Sequence, residues 1–213
     1  MNEIASVCEL YGADVDKVRQ AMAADRRIGA SFLFPGIGYG GSCFPKDVKA
    51  LVSFSKTKGY KTRILEAVET VNAGQKLRLV EKMQRHYRSL RGKRIAVWGL
   101  SFKPRTDDMR EAPAVVIIKR LLEKGAHVQA YDPEAERSAR MIFKDAISYA
   151  QHSYDALKGV DGLAILTEWN EFREPDFRRM RTLMREAVIF DGRNLFDREQ
   201  MAAEGFGYYS IGR

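Results

Sequence analysis

The sequence predicts an α/β protein in two parts, an all-helical segment over residues 1–88 followed by a parallel sheet with helices on both faces over residues 89–213. Three observations carry this. Apolar residues recur at helical spacing through the first part, the period changes at Gly92, and from Arg94 onward short β-rich runs alternate with helical patterns. Alternation of that kind builds a parallel sheet covered by helices. A chain of 213 residues, 45% hydrophobic and 30% charged, has the length and composition of a globular protein with a sizeable core.

The elements follow in order. Ile4, Val7, Cys8 and Tyr11 share one helical face, Gly12 stops that helix, and Asp14 caps the next, which carries Val15, Val18 and Met22. Cys8 reads as a core residue of the first face. A glycine-rich loop then leads to a helix opened by Pro45. A long helical pattern from Arg63 to Arg88 follows, with Ile64, Leu65, Val68, Val71, Leu79, Val80 and Met83 as its apolar stripe. At 1.5 Å per residue it runs roughly 39 Å, enough to link two domains.

In the second part, Arg94–Trp98, Ala126–Tyr131, Gly162–Leu166 and Val188–Phe190 read as strands, with helices over Val115–Lys124 and Phe177–Arg185. Ligands of such sheets sit at the carboxyl ends of the strands. The loops there are Gly99–Arg110, Asp132-Pro133, Thr167–Asn170 and Asp191–Asn194, all rich in polar groups. The first of them lacks the Gly-x-Gly-x-x-Gly of a dinucleotide site, and Asp132 lies 33 residues beyond Gly99, too far for the usual ribose-binding acid. Asp132-Pro133 suits a helix cap.

The net charge of +8 invites a nucleic-acid reading, but the arginines are spread along the chain, and no helix-turn-helix, zinc-ligand spacing or aromatic ribonucleoprotein motif accompanies them. An anionic small molecule would be served by a few of these charges. No apolar run approaches the roughly 20 residues of a membrane span. The two cysteines form no disulfide framework, which fits a reducing cytosol, and the expectation is a cytoplasmic protein.

The most specific stretch is Gly40-Gly41-Ser42-Cys43-Phe44-Pro45-Lys46-Asp47. It sets a thiol on a glycine hinge ahead of a helix start, where unpaired N–H groups, the helix dipole and Lys46 all favour a thiolate nucleophile. Asp47, four residues on, can handle a proton or a water. Spacing alone leaves open a buried structural cysteine after a glycine turn.

Together with the preceding Phe32-Leu33-Phe34-Pro35-Gly36-Ile37-Gly38-Tyr39, this stretch resembles the active-site segment of the NAD-dependent nucleotide-sugar dehydrogenases, in their UDP-glucose 6-dehydrogenase branch. Sister branches act on GDP-mannose or UDP-N-acetylmannosamine; Ser42 and Phe44 fit the UDP-glucose branch better. The resemblance covers essentially the whole chain and implies a helical central (dimerisation) domain followed by a Rossmann-like UDP-binding domain. By position it makes Cys43 the nucleophile and Asp47 the group that helps deliver water. Phe32, Leu33, Phe34, Pro35 and Gly36, with Tyr39 and Gly40, become the loop around the sugar nucleotide. Phe102, Lys103 and Arg193 become further substrate ligands, and Arg27 an arginine donated across a homodimer. Lys46 and Arg110 become contacts to NAD, with an exposed helix lysine and a surface ion pair of Arg110 with Glu111 or Asp107 as the competing readings.

The implied mechanism is two hydride transfers from the sugar's primary alcohol carbon, through a thiohemiacetal and a thioester on Cys43, to the uronic acid. The NAD domain that opens these enzymes has no counterpart here. The expectation is therefore a carboxyl-terminal portion that binds UDP-glucose weakly and turns over negligibly alone. A noncatalytic nucleotide-sugar-binding module and a thiol-redox protein are the competing readings.

Overall fold

The computed structural model describes residues 1–213. Four helices come first: α1 (Asn2–Tyr11), α2 (Val15–Ala23), α3 (Phe44–Thr57) and α4 (Arg63–Tyr87). The local signals act where the sequence puts them. Gly12 closes α1 in the left-handed conformation at φ 66°, and the Asp14 carboxylate accepts the Asp16 amide at 2.8 Å to open α2. Pro45 lies in the first turn of α3, with Cys43 as its N-cap. The α4 helix ends at Arg88, which adopts φ 61°.

A six-stranded, wholly parallel sheet follows in the order β3-β2-β1-β4-β5-β6. Its strands are β1 (Arg94–Trp98), β2 (His127–Tyr131), β3 (Ser148–Tyr149), β4 (Gly162–Ile165), β5 (Val188–Asp191) and β6 (Gly207–Tyr209). The helices α5 (Pro113–Glu123), α6 (Glu136–Phe143), α7 (Phe177–Leu183) and α8 (Arg198–Ala203) cover it. Strand order reverses between β1 and β4, which opens a crevice at the carboxyl ends of those two strands.

Side chains of β1 alternate between two cores. Ile95 and Val97 join Leu79, Val80 and Met83 of α4 and Ile117, Ile118 and Leu121 of α5 on one face. Ala96 and Trp98 join Leu157, Phe172 and Met180 on the other. The first core runs on without a break through Ile37 to Ala5, Cys8 and Val15, so the helical segment and the sheet share one interior.

Three sequence expectations are corrected. Arg185 falls outside α7, because Met184 turns extended at ψ 151°. On α1 the buried face is Ala5 and Cys8, while Ile4, Val7 and Tyr11 are exposed. Likewise the amino-terminal half of the α4 stripe, Ile64 and Val68, lies on the surface. No helix is long and apolar enough to cross a membrane.

Candidate active site

The loop from Gly36 to Gly41 is held from both sides. On the helical side, the Gly36 amide donates to Asn2 Oδ1 at 2.9 Å and the buried Gln75 amide donates to the Gly36 carbonyl at 2.7 Å. Asn72 takes the Tyr39 amide at 2.8 Å and returns a bond to the Tyr39 carbonyl at 3.3 Å. On the sheet side, the Ile37 amide donates to the Gly192 carbonyl at 3.1 Å and the Gly41 amide to the Arg110 carbonyl at 2.8 Å. Glycine is required where these surfaces close. A Cβ on Gly38, at φ 95°, would lie 2.6 Å from Asn72 Oδ1, and one on Gly41, at φ 96°, would lie 2.8 Å from the Phe102 ring.

Cys43 emerges exposed from this loop at the start of α3, with Ser42 Oγ 3.7 Å from its sulfur. Asp47 follows one turn into the same helix, with its amide on the Cys43 carbonyl at 2.9 Å and the Lys46 ammonium 3.6 Å from its carboxylate. The Tyr39 and Phe44 rings meet edge to face at 4.8 Å. The Tyr39 hydroxyl donates to Glu69, and burial, reinforced by that carboxylate, holds its pKa well above the usual phenol range.

From the sheet come Phe102 and Lys103 after β1, Glu168 after β4 and Arg193 after β5. Lys103 Nζ lies 5.3 Å from the Phe102 ring centre. Arg193 Nε donates to the Leu166 carbonyl at 2.8 Å and lies 3.2 Å from Glu168 Oε2. Its backbone is fixed by the buried Asp191 carboxylate, which accepts from the amides of Arg193 at 2.8 Å and Leu195 at 2.7 Å and from the Tyr208 hydroxyl at 2.8 Å. Burial pushes the Asp191 pKa up against those bonds.

One cleft of about 660 Å³ is lined by Phe32, Phe34, Gly36, Tyr39, Gly40, Phe102, Lys103 and Arg193, together with Met1, Asn2, Gly38, Phe44 and Glu168. Its size suits a small organic ligand. A smaller cleft of about 350 Å³ is lined by Gly41, Ser42, Lys46, Lys49, Arg110 and Glu111. Cys43 stands between the two in sequence. Phe32, at φ 64°, exposes 99% of its surface, whereas Pro35 is buried behind the loop and Leu33 half-buried. Arg27 lines neither cleft and pairs with Asp25 at 2.6 Å. Arg110 is corrected: its partner is Asp108, at 2.8 Å, and neither Asp107 nor Glu111. That contact raises the Arg110 pKa and lowers that of Asp108.

The carboxyl end of β1 holds no dinucleotide cradle. Asp132 Oδ2 fills the place, accepting the Leu100 amide at 2.6 Å, the Ser101 amide at 3.1 Å and the Trp169 indole at 3.2 Å. Its Oδ1 takes the Glu134 and Ala135 amides in a turn ahead of α6, but the N-cap of that helix is Ala135 and no side chain caps it, so the capping role expected of Asp132-Pro133 is corrected to that of a turn former.

Comparison with known proteins then decides the family. The central domain of the UDP-glucose/GDP-mannose dehydrogenase family matches residues 1–74, and the UDP binding domain of the same family matches residues 96–198. The chain belongs to the UDP-glucose/GDP-mannose dehydrogenase family. Among its relatives, a UDP-glucose 6-dehydrogenase of Pseudomonas aeruginosa is 45% identical over 100% of this chain and 48% of its own length. UDP-glucose 6-dehydrogenase TuaD of Bacillus subtilis is 46% identical over 100% of this chain and 46% of its own. A UDP-glucose dehydrogenase structure from Pyrobaculum islandicum superposes with a TM-score of 0.87 at 35% identity, over 98% of this chain and 46% of that one. The chain thus spans about half the length of these relatives.

Within this family member, sequence reasoning missed Asn2, Asn72, Gln75, Lys76, Glu111 and Glu168. Asn72, Gln75 and Lys76 carried a signal, since these three polar residues interrupt the apolar stripe of α4 between Val71 and Leu79; all three are buried, as is Lys82. Glu168 carried none beyond its place after a strand.

Proposed function

We propose that this chain forms the nucleophile-bearing, sugar-nucleotide-binding half of a UDP-glucose 6-dehydrogenase. The observation that carries the reading is Cys43, exposed at the N-cap of α3 on the glycine loop that walls a cleft also lined by Lys103 and Arg193. Lysine suits the diphosphate, arginine suits phosphate or hydroxyl oxygens, and the aromatic walls Phe34, Phe44 and Phe102 suit the faces of the rings. The exposed Ile4, Val7, Leu10, Tyr11 and Ile64 are apolar surface of the kind a homodimer covers, and Arg27, 88% exposed, would leave its Asp25 partner to serve a neighbour's site.

NAD, when bound, supplies the hydride acceptor for both oxidations. On this chain the donors that would hold its edge are Lys46 and Arg110, both on the smaller cleft. The chain's own residues act as follows. The Cys43 thiolate adds to the carbon of the sugar aldehyde, and the C=O pair becomes the oxyanion of a thiohemiacetal. That oxyanion drives departure of the second hydride and leaves a thioester. Water held near Asp47 attacks the thioester carbon, its proton passes to the carboxylate, and sulfur leaves as the Cys43 thiolate.

Calorimetric titration with UDP-glucose, GDP-mannose and UDP-N-acetylmannosamine tests the reading. Selective binding of UDP-glucose is expected, and preference for either competitor would move the chain to a sister branch. Steady NADH production by the purified 213-residue chain would refute the division of labour.

A further inference from the structure

Glu168 is the one carboxylate in the wall of the main cleft, and neither of its oxygens accepts a hydrogen bond from the protein. Oε2 is buried against Arg193 Nε at 3.2 Å, within ion-pairing distance but without the alignment of a hydrogen bond. The side chain is 34% exposed and that of Arg193 15%. The guanidinium is thereby neutralised along its Nε edge, where it also donates to the Leu166 carbonyl at 2.8 Å. Nη2 turns to the Phe102 carbonyl at 3.4 Å. A carboxylate whose charge is balanced but whose lone pairs lack donors accepts readily from a ligand hydroxyl and has no donor to offer a phosphate.

We infer that Glu168 binds a hydroxyl group of the nucleotide sugar, which it accepts on the cleft side while Arg193 holds its charge. The inference rests on the proposed nucleotide-sugar reading of the cleft and deepens it. The diphosphate is then directed away from Glu168 toward Lys103, and the Arg193 end of the cleft receives a hydroxylated ring. The hydroxyl belongs to the hexose or to the ribose, and the chemistry is the same for both.

The test is a calorimetric cycle on the whole chain. Wild type and Glu168→Gln are titrated with UDP-glucose, with its 2-, 3- and 4-deoxyglucose analogues and with 2′-deoxy-UDP-glucose. Glutamine keeps the shape and loses the charge-assisted acceptor. Wild type is expected to bind one analogue about tenfold more weakly than UDP-glucose. Glu168→Gln is expected to bind UDP-glucose about tenfold more weakly and to ignore the same deletion. A hexose analogue showing this pattern places the contact on the sugar, and the 2′-deoxy analogue places it on the ribose. Thermal melting of both proteins checks that the variant is folded; should it not be, Glu168→Asp, which keeps the charge but shortens the reach, takes its place in the cycle. If the variant binds UDP-glucose within twofold of wild type, or more tightly, or still distinguishes the analogue, the inference is overturned while the cleft reading stands. A wild-type chain that binds none of these compounds overturns both.

Discussion

The Lys49 ammonium meets the Glu111 carboxylate at 2.9 Å across 62 residues of sequence, joining the helix that starts at Cys43 to the loop ahead of α5. Lys76 of α4 reaches the same residue, 3.8 Å from its carboxylate and 3.4 Å from its carbonyl. Glu111 adopts φ 53°, and its carbonyl presses on Gly40. With the Gly41 amide on the Arg110 carbonyl, residues 110 and 111 clamp the loop just before Cys43.

Glu111→Gln is expected to cost less than about 1 kcal/mol at neutral pH, because Lys49 and Glu111 are each about half exposed and water screens the pair. Lys49 holds the Glu111 pKa below its ordinary value in the folded state. The pair's stability is therefore fully present above the unfolded value, about 4.3, and is lost as pH falls through the lower folded one. Urea unfolding of both proteins at pH 7 and pH 3 checks this. A deficit that persists or grows in acid would assign the effect to something other than the charge.

Two glycine-to-alanine changes should differ in sign. A Cβ on Gly40 would run into the backbone carbonyl of Glu111, which cannot swing aside, so Gly40→Ala should destabilise by about 1–3 kcal/mol and weaken nucleotide-sugar binding. Gly74, exposed in α4 with open space around it, should gain roughly 0.5–1 kcal/mol as alanine. Denaturant midpoints of the two variants decide it, and equal effects would contradict the packing described.

The contrast between what was legible and what was not follows the range of the forces involved. Gly12, Asp14, Pro45 and the alternation from Arg94 onward act through their immediate neighbours, so helix ends and four strands could be read directly. β3, with two residues, and β6, with three, have no period to display and exist because β2 and β5 offer open edges. The family was legible in the cysteine segment because the residues that mark it are contiguous. Glu168 and Glu111 were not, since each gains meaning only from an arginine or lysine brought in by another element. The exposed Ile64 and Val68 show the converse, a regular stripe whose period says nothing about which part of it the chain itself covers.

The two thiols should separate cleanly in a labelling experiment. Cys43 is exposed and Cys8 keeps 5% of its surface, so iodoacetamide on the native chain should modify Cys43 alone, with Cys8 reacting only after unfolding. Saturating UDP-glucose should slow Cys43 labelling several-fold by covering the cleft at its side. Peptide mass spectrometry reads both sites, and labelling of Cys43 at the same rate with and without nucleotide sugar would separate the thiol from the ligand cleft.

Asp132 offers the sharpest test of how the sheet presents the cleft. Its carboxylate receives the amides of Leu100, Ser101, Glu134 and Ala135, the Ser101 hydroxyl and the Trp169 indole. Alanine would strand several of these buried donors, and since each costs roughly 1–3 kcal/mol when left unmade, Asp132→Ala should lose about 3 kcal/mol or more. Asparagine keeps one accepting oxygen and turns an NH2 toward the remaining donors, so Asp132→Asn should fall between. Phe102 and Lys103 follow directly after the turn that Asp132 holds, and Phe102 receives its own bond from the loop when its amide donates to the Asp108 carbonyl at 3.1 Å. Loosening the turn should therefore weaken UDP-glucose binding in the asparagine variant while it remains folded. Unfolding by urea and calorimetry on the same samples separate the two effects: a variant that loses stability but binds UDP-glucose as wild type does would show that Lys103 is placed by its own contacts and not by the turn.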